Sequence, residues 1–320
     1  MFTCCHPALP LPAQVALILR TLAGLGTAEI ARAFLVPEAT MSQRPVRAKR
    51  RIRQAGIPFR VPPPHLLPER LQAVLGVLYL LFNEGYSGQS AWDESEGRSG
   101  GGPGESEVRS GVGPRGPGEE AIRLARLLAG LLPGEPETGD LLALMLLHHA
   151  RRPARTSGDG TPVPLEEQDR TLWNRAEIEE GLLVLETALA RRAAGPYQVQ
   201  AAIAAEPAAT DWPQIAVLYG RLATLLPSPV VELNRAVAVA VAVAMADGPA
   251  AGLALVDRLA ATGALGDYHV LHATRADLLR RLQHRDEAAT AYRRALGLAP
   301  AEAERRYLAR RLAEVTRADA

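Results

Sequence analysis

Two short segments with helical periodicity lie within residues 27–53, and a three-residue turn, Val-Pro-Glu, separates them. Thr27 can cap the first helix, because its side-chain oxygen can accept a hydrogen bond from an otherwise unpaired amide. The apolar positions of this helix share one face: Ile30, Ala31 and Phe34. Pro37 is suited to the start of the second helix, and Met41 would point back at the first. The pattern predicts a helix-turn-helix.

The second helix of this motif would present polar and basic side chains to solvent. Four of them lie where a recognition helix reads base edges in the DNA major groove: Thr40, Ser42, Gln43 and Arg44. A basic run that would contact phosphates follows: Arg47, Lys49, Arg50, Arg51 and Arg53. The alternative is a solvated, arginine-rich helical hairpin, because a helix-turn-helix pattern taken alone is weak evidence.

The uneven distribution of charge along the chain favours DNA binding, whereas the net charge alone does not indicate a partner. The 320 residues carry a formal charge of only +1. Residues 1–60, however, contain nine Arg and Lys residues against two carboxylates, which gives +7, and the remainder carries −6. A basic N-terminal module joined to a mildly acidic body fits a nucleic-acid reader with an attached protein-interaction domain.

Composition also indicates the domain organisation. Residues 88–118 are rich in Gly, Ser, Pro and charge and nearly free of aliphatic side chains, so we expect them to be disordered. The proline-rich residues 56–68 indicate a boundary, and helices are expected at about 11–23 and 69–84. The predicted divisions are a helix-turn-helix domain at 1–62, a connecting helix at 63–87, the insert at 88–118 and a helical body at 119–320.

The helical body repeats apolar residues at spacings of three and four, and short loops with Gly or Pro join its segments. The Ala/Val alternation within residues 236–246 could indicate a strand, but its alanine content and helical neighbours favour a buried helix. We therefore predict an all-α protein in which a small helix-turn-helix domain precedes a tetratricopeptide-like helical-repeat domain.

Two segments near the C-terminus carry the repeat pattern. Residues 275–300 fit a tetratricopeptide helix pair at its small, aromatic and proline positions: Ala276, Tyr292, Ala295 and Pro300. Residues 233–259 are a looser copy. Stacked hairpins of this kind leave a concave surface for a protein or peptide partner, although ordinary helical packing without a partner fits the pattern equally well.

The N-terminal residues Cys4, Cys5 and His6 are possible metal ligands, but adjacent ligands do not match the spacing of usual zinc sites. We expect no metal and no cofactor. The first residues lack the pattern of a signal peptide, and 236–246 is too short to span a bilayer. We expect a cytoplasmic protein without a membrane partner, in a compartment that keeps thiols reduced.

An enzyme is the main alternative class. Candidate acids, bases and nucleophiles occur at Glu84, Tyr86, His148, His149, Asp159, Glu166, Glu167 and Asp169. However, the chain has no metal-binding histidine motif, glycine-rich phosphate loop or nucleophile elbow. Adjacent histidines on a helix also point in different directions, so they seldom act together. We expect no catalytic activity.

Beyond these patterns, the chain resembles a known family. The segments TCCHPALPLPAQVALILRTLAGLGTAEIARAFLVPEATMSQR and VRAKRRIRQAGIPFRVP resemble region 4 of bacterial extracytoplasmic-function sigma factors. More narrowly, the chain is similar to the subgroup with a long, tetratricopeptide-like C-terminal extension. Motifs of that extension include LYLLFNEGYS at 78–87, LLALMLLHHARRPAR at 141–155, EEQDRTLWNRAEIEEG at 166–181 and SPVVELNRAVA at 228–238.

The resemblance implies that the helix at 38–54 reads the promoter −35 element and that the same domain contacts the β flap of the RNA polymerase core. Arg44 and Arg47 would contact DNA, with Thr40, Ser42 and Gln43 near base edges and Lys49, Arg50 and Arg51 on phosphates. It implies a role in transcription initiation. A helical-repeat scaffold or decoy regulator with disabled DNA binding is the alternative.

The chain departs from the family in three places. Region 2, which melts the promoter, is missing, so we expect Met1 to be an internal methionine of a longer reading frame or the gene to be truncated. Pro45 stands where relatives carry an aliphatic residue, and we expect it to distort the recognition helix and weaken DNA binding. Relative to the family, residues 88–118 resemble an insertion, and the stretch after Ala205 resembles a deletion.

Overall fold

The structure is a computed structural model. It describes residues 1–22, 26–27, 30–31, 37–87, 116–209, 212–242 and 248–317. These residues form thirteen α-helices and no β-strand, apart from an isolated β-bridge between Thr156 and Pro162. The all-α prediction is therefore confirmed. The chain divides into two compact units, an N-terminal unit of residues Met1–Met145 and a C-terminal unit of residues Leu146–Ala320.

Five helices begin in the N-terminal unit: α1 (Leu11–Thr21), α2 (Glu38–Gln54), α3 (Leu67–Ser87), α4 (Pro117–Leu131) and α5 (Pro136–His149). Helix α1 packs on α2 and α3, and α3 packs on α4. Arg123 of α4 donates a hydrogen bond from Nη2 to the carbonyl of Leu22, 3.2 Å away, at the end of α1. Helix α4 begins at Pro117, within the last two residues of the predicted insert.

Helix α3 forms much of the core of the N-terminal unit. Its fully buried side chains are Val74, Leu75, Val77, Leu78 and Leu81. The stretch Pro64–Asn83 is long and apolar enough to cross a membrane, with a mean hydropathy of 1.2. This is weak evidence for a membrane span, because the core helix of a soluble protein meets the same criteria.

Eight helices lie in the C-terminal unit: α6 (Arg175–Leu189), α7 (Pro196–Ala209), α8 (Trp212–Leu225), α9 (Pro229–Ala242), α10 (Gly248–Ala261), α11 (His269–Arg281), α12 (Arg285–Leu298) and α13 (Glu302–Arg317). Each helix packs on the one that follows it in sequence. Three consecutive apolar clusters run along this series, centred on Leu222, Val256 and Tyr292. Successive hairpins therefore share their apolar faces.

The predicted hairpin at residues 275–300 corresponds to α11 and α12. Ala276, Tyr292 and Ala295 are buried in its core, while Pro300 follows α12 and is exposed. Within the Ala/Val segment, residues 236–242 belong to helix α9, so the helical interpretation is confirmed there. The remainder of that segment and Phe34 lie outside the described residues.

Replacing Gly181 of α6 with alanine is expected to destabilise the protein by about 1 kcal/mol, because overpacking outweighs the better helix propensity of alanine. A Cβ atom at this position would lie 3.0 Å from Leu147 Cγ and 3.4 Å from Leu146 Cβ. At Gly220 of α8, a Cβ atom would meet nothing within 4 Å. Gly220→Ala should therefore stabilise by about 0.5–1 kcal/mol. Urea unfolding of both variants measures the difference, and a stabilising Gly181→Ala would contradict the close approach.

Candidate nucleic-acid interface

The orientation of helix α2 is fixed by a narrow apolar stripe. Met41, Ala48 and Ile52 are its buried residues, and they recur at helical spacing along one face. Ala48 and Ile52 belong to an apolar cluster with Leu9 and residues of α1, Ala13 and Leu17. The opposite face of α2 consequently points to solvent. Helix α2 begins at Glu38 and ends at Gln54, as the sequence predicted.

Local sequence features explain where α2 begins and where it ends. Pro37 is the N-cap residue, so the helix begins one residue after the proline rather than at it. At the other end Gly56 adopts a φ of 60°, and the Ile57 amide donates to the Ile52 carbonyl, 3.1 Å away. This is the Schellman arrangement, which needs a residue that tolerates positive φ. Ile57 is then buried in the same cluster as Ile52.

Seven of the eight predicted DNA-binding residues have exposed side chains: Thr40, Ser42, Gln43, Arg47, Lys49, Arg50 and Arg51. The eighth, Arg44, is half-buried and interacts with another part of the protein. Ser42 Oγ donates to the carbonyl of Ala39 at 2.8 Å, so its own proton is already used and it can offer an acceptor to a base. The seven exposed residues therefore lie on the solvent-facing side of α2.

The exposed side of α2 is strongly basic. The helix contains six Arg and Lys residues and one carboxylate, Glu38, which lies in its first turn. Within the described part of the chain, no carboxylate pairs with five of these cations: Arg47, Lys49, Arg50, Arg51 and Arg53. Exposed cations without protein partners are available to an external polyanion, which makes this face a candidate interface for nucleic-acid phosphates.

Comparison with known proteins agrees with this geometry. The chain is 45% identical over 318 residues to an uncharacterized protein of Rhizobium meliloti (strain 1021), an alignment that covers 96% of the chain and 69% of that protein. The chain belongs to the same family as this protein. Residues 1–52 match the family "Sigma-70, region 4". Residues 114–189 match a family of unknown function, DUF6596. No solved structure matches the chain.

The region 4 match covers α1 and almost all of α2, the two helices that build the interface. The chain thus carries a sigma-70 region 4 domain at its N-terminus, a sigma-factor-like DNA-binding domain of a type that in general interacts with promoter DNA and RNA polymerase. Region 4 is a non-enzymatic, DNA-binding type of domain. The relative shows no more about function, since it is itself uncharacterized.

Pro45 does not interrupt helix α2 of this protein. Helix α2 remains continuous from Glu38 to Gln54, and Pro45 lies half-buried on the face of Met41 and Ala48. The proline nevertheless has no N–H to donate to the carbonyl one turn earlier, and its own ring is only half-buried beside the apolar stripe. The continuous helix therefore contradicts the predicted distortion, whereas the weakened DNA binding stays a prediction.

Sequence reasoning overlooked one exposed residue of this face, Val46, whose side chain is 60% exposed. Helical spacing from the buried stripe would have identified it, because position 46 lies outside the series 41, 48 and 52. The sequence pattern also did not indicate that two apolar residues after α2 have exposed side chains, Phe59 (85% exposed) and Val61 (61% exposed). An apolar side chain among polar ones can contact the methyl group of thymine.

The side chains of Cys4, Cys5 and His6 make different contacts in this protein. Cys5 is buried, and burial raises the pKa of its thiol to about 12. Cys4 Sγ lies 3.7 Å from Thr21 Oγ1, and His6 Nδ1 accepts a hydrogen bond from the Ala8 amide at 3.1 Å. Among the residues with described positions, no three His, Cys, Asp or Glu side chains form a group that could hold a metal ion.

The residues that suggested an enzyme form hydrogen bonds or ion pairs within the protein where their side chains are described. Desolvation by the surrounding protein, together with the charge of Arg151, lowers the pKa of His148 to about 3, so it stays neutral. His149 Nδ1 lies 2.9 Å from a carboxylate oxygen of Glu177. Asp159 and Asp169 accept hydrogen bonds within their own turns, and Glu167 pairs with Arg311. The side chains of Glu84, Tyr86 and Glu166 lie outside the described residues.

Proposed function

We propose that the chain is a promoter DNA-binding protein of the sigma-factor type, which acts in transcription initiation. Helix α2 would enter the major groove at the −35 element, and the same domain would contact the β flap of the RNA polymerase core. The exposed, unpaired cations on the outer face of a region 4 helix are the observation that carries this proposal.

The base-reading role falls to the N-terminal half of α2. Recognition helices usually present their N-terminal residues to base edges, and here those positions hold the exposed side chains of Thr40, Ser42 and Gln43. Arg47 lies one turn further along the same exposed side and would bind a guanine edge, and Val46 would contact a thymine methyl group. Arg44 would also contact DNA, in addition to the interaction that it already has within the protein.

The C-terminal half of α2 would hold the phosphates. Lys49, Arg50 and Arg51 follow one another along the helix, and all three are exposed. Consecutive residues point in different directions, so their long side chains can reach phosphates on both sides of the groove. This arrangement supports strong, salt-dependent binding with sequence information supplied by the preceding turn.

The helical body at 119–320 would act as a tetratricopeptide-like extension that binds a protein or peptide. The successive hairpins of α9 to α12 and the buried small and aromatic residues of α11 and α12 support this assignment. In the division we propose, residues 1–62 bind DNA, 63–87 form a connecting helix and 88–118 form an insert. The protein would work in the cytoplasm, with no membrane partner and no cofactor.

A second candidate is a helical-repeat scaffold or decoy regulator with disabled DNA binding. Pro45 favours it, because the proline weakens the helix that must enter the groove. In that case the basic face would bind any duplex weakly and without sequence preference.

Selection of duplexes from a randomised library by the full chain tests the proposal. We expect one short sequence motif to be enriched, and Arg47→Gln to weaken binding to it by about 10- to 100-fold, because a bidentate contact to a base is worth about 1–3 kcal/mol. Arg258→Gln is the matched control, since Arg258 is an exposed arginine of α10 in the other unit. Enrichment of no motif, with equal affinity for all duplexes, would favour the scaffold.

A further inference from the structure

A cavity of about 290 Å³ lies inside the C-terminal unit. Apolar side chains from two helices form part of its wall: Val237 of α9, with Ala273 and Leu278 of α11. Pro164, from the loop that precedes α6, adds a further apolar surface. The volume is near the lower end of the range for ligand pockets and offers room for about ten water-sized groups, which suits a small molecule better than a peptide.

The same cavity contains a charged group on α11. Asp277 accepts hydrogen bonds from Arg280 and from Arg281, whose Nε lies 2.7 Å from Oδ2. Burial acts to raise the pKa of Asp277, but the hydrogen bonds and charges of the two arginines outweigh it and leave the pKa below its usual value. The carboxylate is thus ionised. The cluster of Asp277, Arg280 and Arg281 carries a net charge of +1, and two of its members, Asp277 and Arg281, line the cavity.

The other polar groups of the wall can donate hydrogen bonds. Within the described part of the chain, the hydroxyl of Thr274 forms no hydrogen bond. Burial raises the pKa of Tyr292 to about 12, so the phenol keeps its proton and can donate a hydrogen bond. Tyr307 accepts a hydrogen bond from Arg311 Nε at 3.2 Å, so its hydroxyl can still donate one.

A loop covers one side of this cavity. It is attached to helix α13 at two points, because Arg306 donates to the carbonyl of Asp159 at 2.9 Å and Arg311 pairs with Glu167. Pro164 lies between these two attachments in the sequence and lines the cavity. The attachments hold this apolar wall in place.

We propose that the cavity binds a small organic carboxylate with an apolar body. The carboxylate would accept hydrogen bonds from Thr274 and Arg281, while the body would contact Val237, Leu278 and Pro164. The excess of positive charge and of donors favours an anion over a cation or a neutral amide. The inference uses only residues of the C-terminal unit and does not depend on whether α2 binds DNA.

Calorimetric titration of the full chain with benzoate and hexanoate, each compared with its neutral amide, tests this assignment. We expect at least one carboxylate to bind about tenfold or more tightly than its amide, since hydrogen bonds to a charged group are the stronger ones. Arg281→Gln should remove this preference. Thr274→Val, which keeps the side-chain volume, should weaken binding several-fold even if Arg281→Gln disturbs the fold.

Arg293→Gln is the matched control, because Arg293 is an exposed arginine of α12 that does not line the cavity. It should leave carboxylate binding unchanged. Three results would overturn the proposal: no binding by either carboxylate at millimolar concentration, equal binding of carboxylate and amide, or binding that both Arg281→Gln and Thr274→Val leave intact.

Discussion

Pro45→Leu is expected to stabilise helix α2 by about 2–3 kcal/mol, because an interior proline costs roughly 3 kcal/mol relative to good helix formers. Leucine would restore the missing N–H donor. Its side chain would also continue the buried stripe between Met41 and Ala48, where Pro45 is only half-buried. A more stable recognition helix loses less conformational freedom on docking, so affinity for the preferred duplex should also rise.

Amide hydrogen exchange across α2 in the full chain measures the first effect. Exchange should slow by about 30- to 160-fold, which corresponds to the expected gain in local stability. Pro68→Leu is the matched control, since Pro68 is exposed in the first turn of α3, where proline is tolerated. Slower exchange with unchanged DNA affinity would show that Pro45 does not limit recognition, whereas unchanged exchange would contradict the structural argument itself.

Simultaneous replacement of Lys49, Arg50 and Arg51 by glutamine is expected to weaken DNA binding by about 100-fold at 0.15 M salt. Each lost phosphate contact lowers the slope of log affinity against log salt by about 0.9, so the slope should fall in magnitude by about 3. All three side chains are exposed and unpaired within the described structure, so their removal should cost little stability. Fluorescence anisotropy at several salt concentrations measures both quantities.

The control for this variant is a triple change of equal charge in the C-terminal unit, in which Arg221, Arg258 and Arg293 become glutamine. These arginines are exposed and lie on three different helices. Their replacement should change the salt slope by much less than one. If the two triple variants lose affinity equally, the net charge of the protein and not the face of α2 governs the interaction.

The sequence was sufficient to predict the local features of the interface. The family resemblance located α2 at Glu38–Gln54, and helical spacing placed Met41 on its buried side, which depends only on periodicity within one segment. Interactions between distant segments could not be obtained in this way. The pairing of His149 with Glu177 and the meeting of Pro164, Asp277 and Tyr307 around one cavity require tertiary packing that no local pattern encodes.

The loop attachments to α13 also bear on how the C-terminal unit is made during translation. Most of its packing joins helices that follow one another in sequence and can form as each emerges from the ribosome. The contacts from Asp159 to Arg306 and from Glu167 to Arg311 instead join residues 147 and 144 positions apart. Closing so long a loop is slow relative to local pairing. The loop around Pro164 must therefore wait for α13, and the cavity it covers is among the last features of the unit to mature.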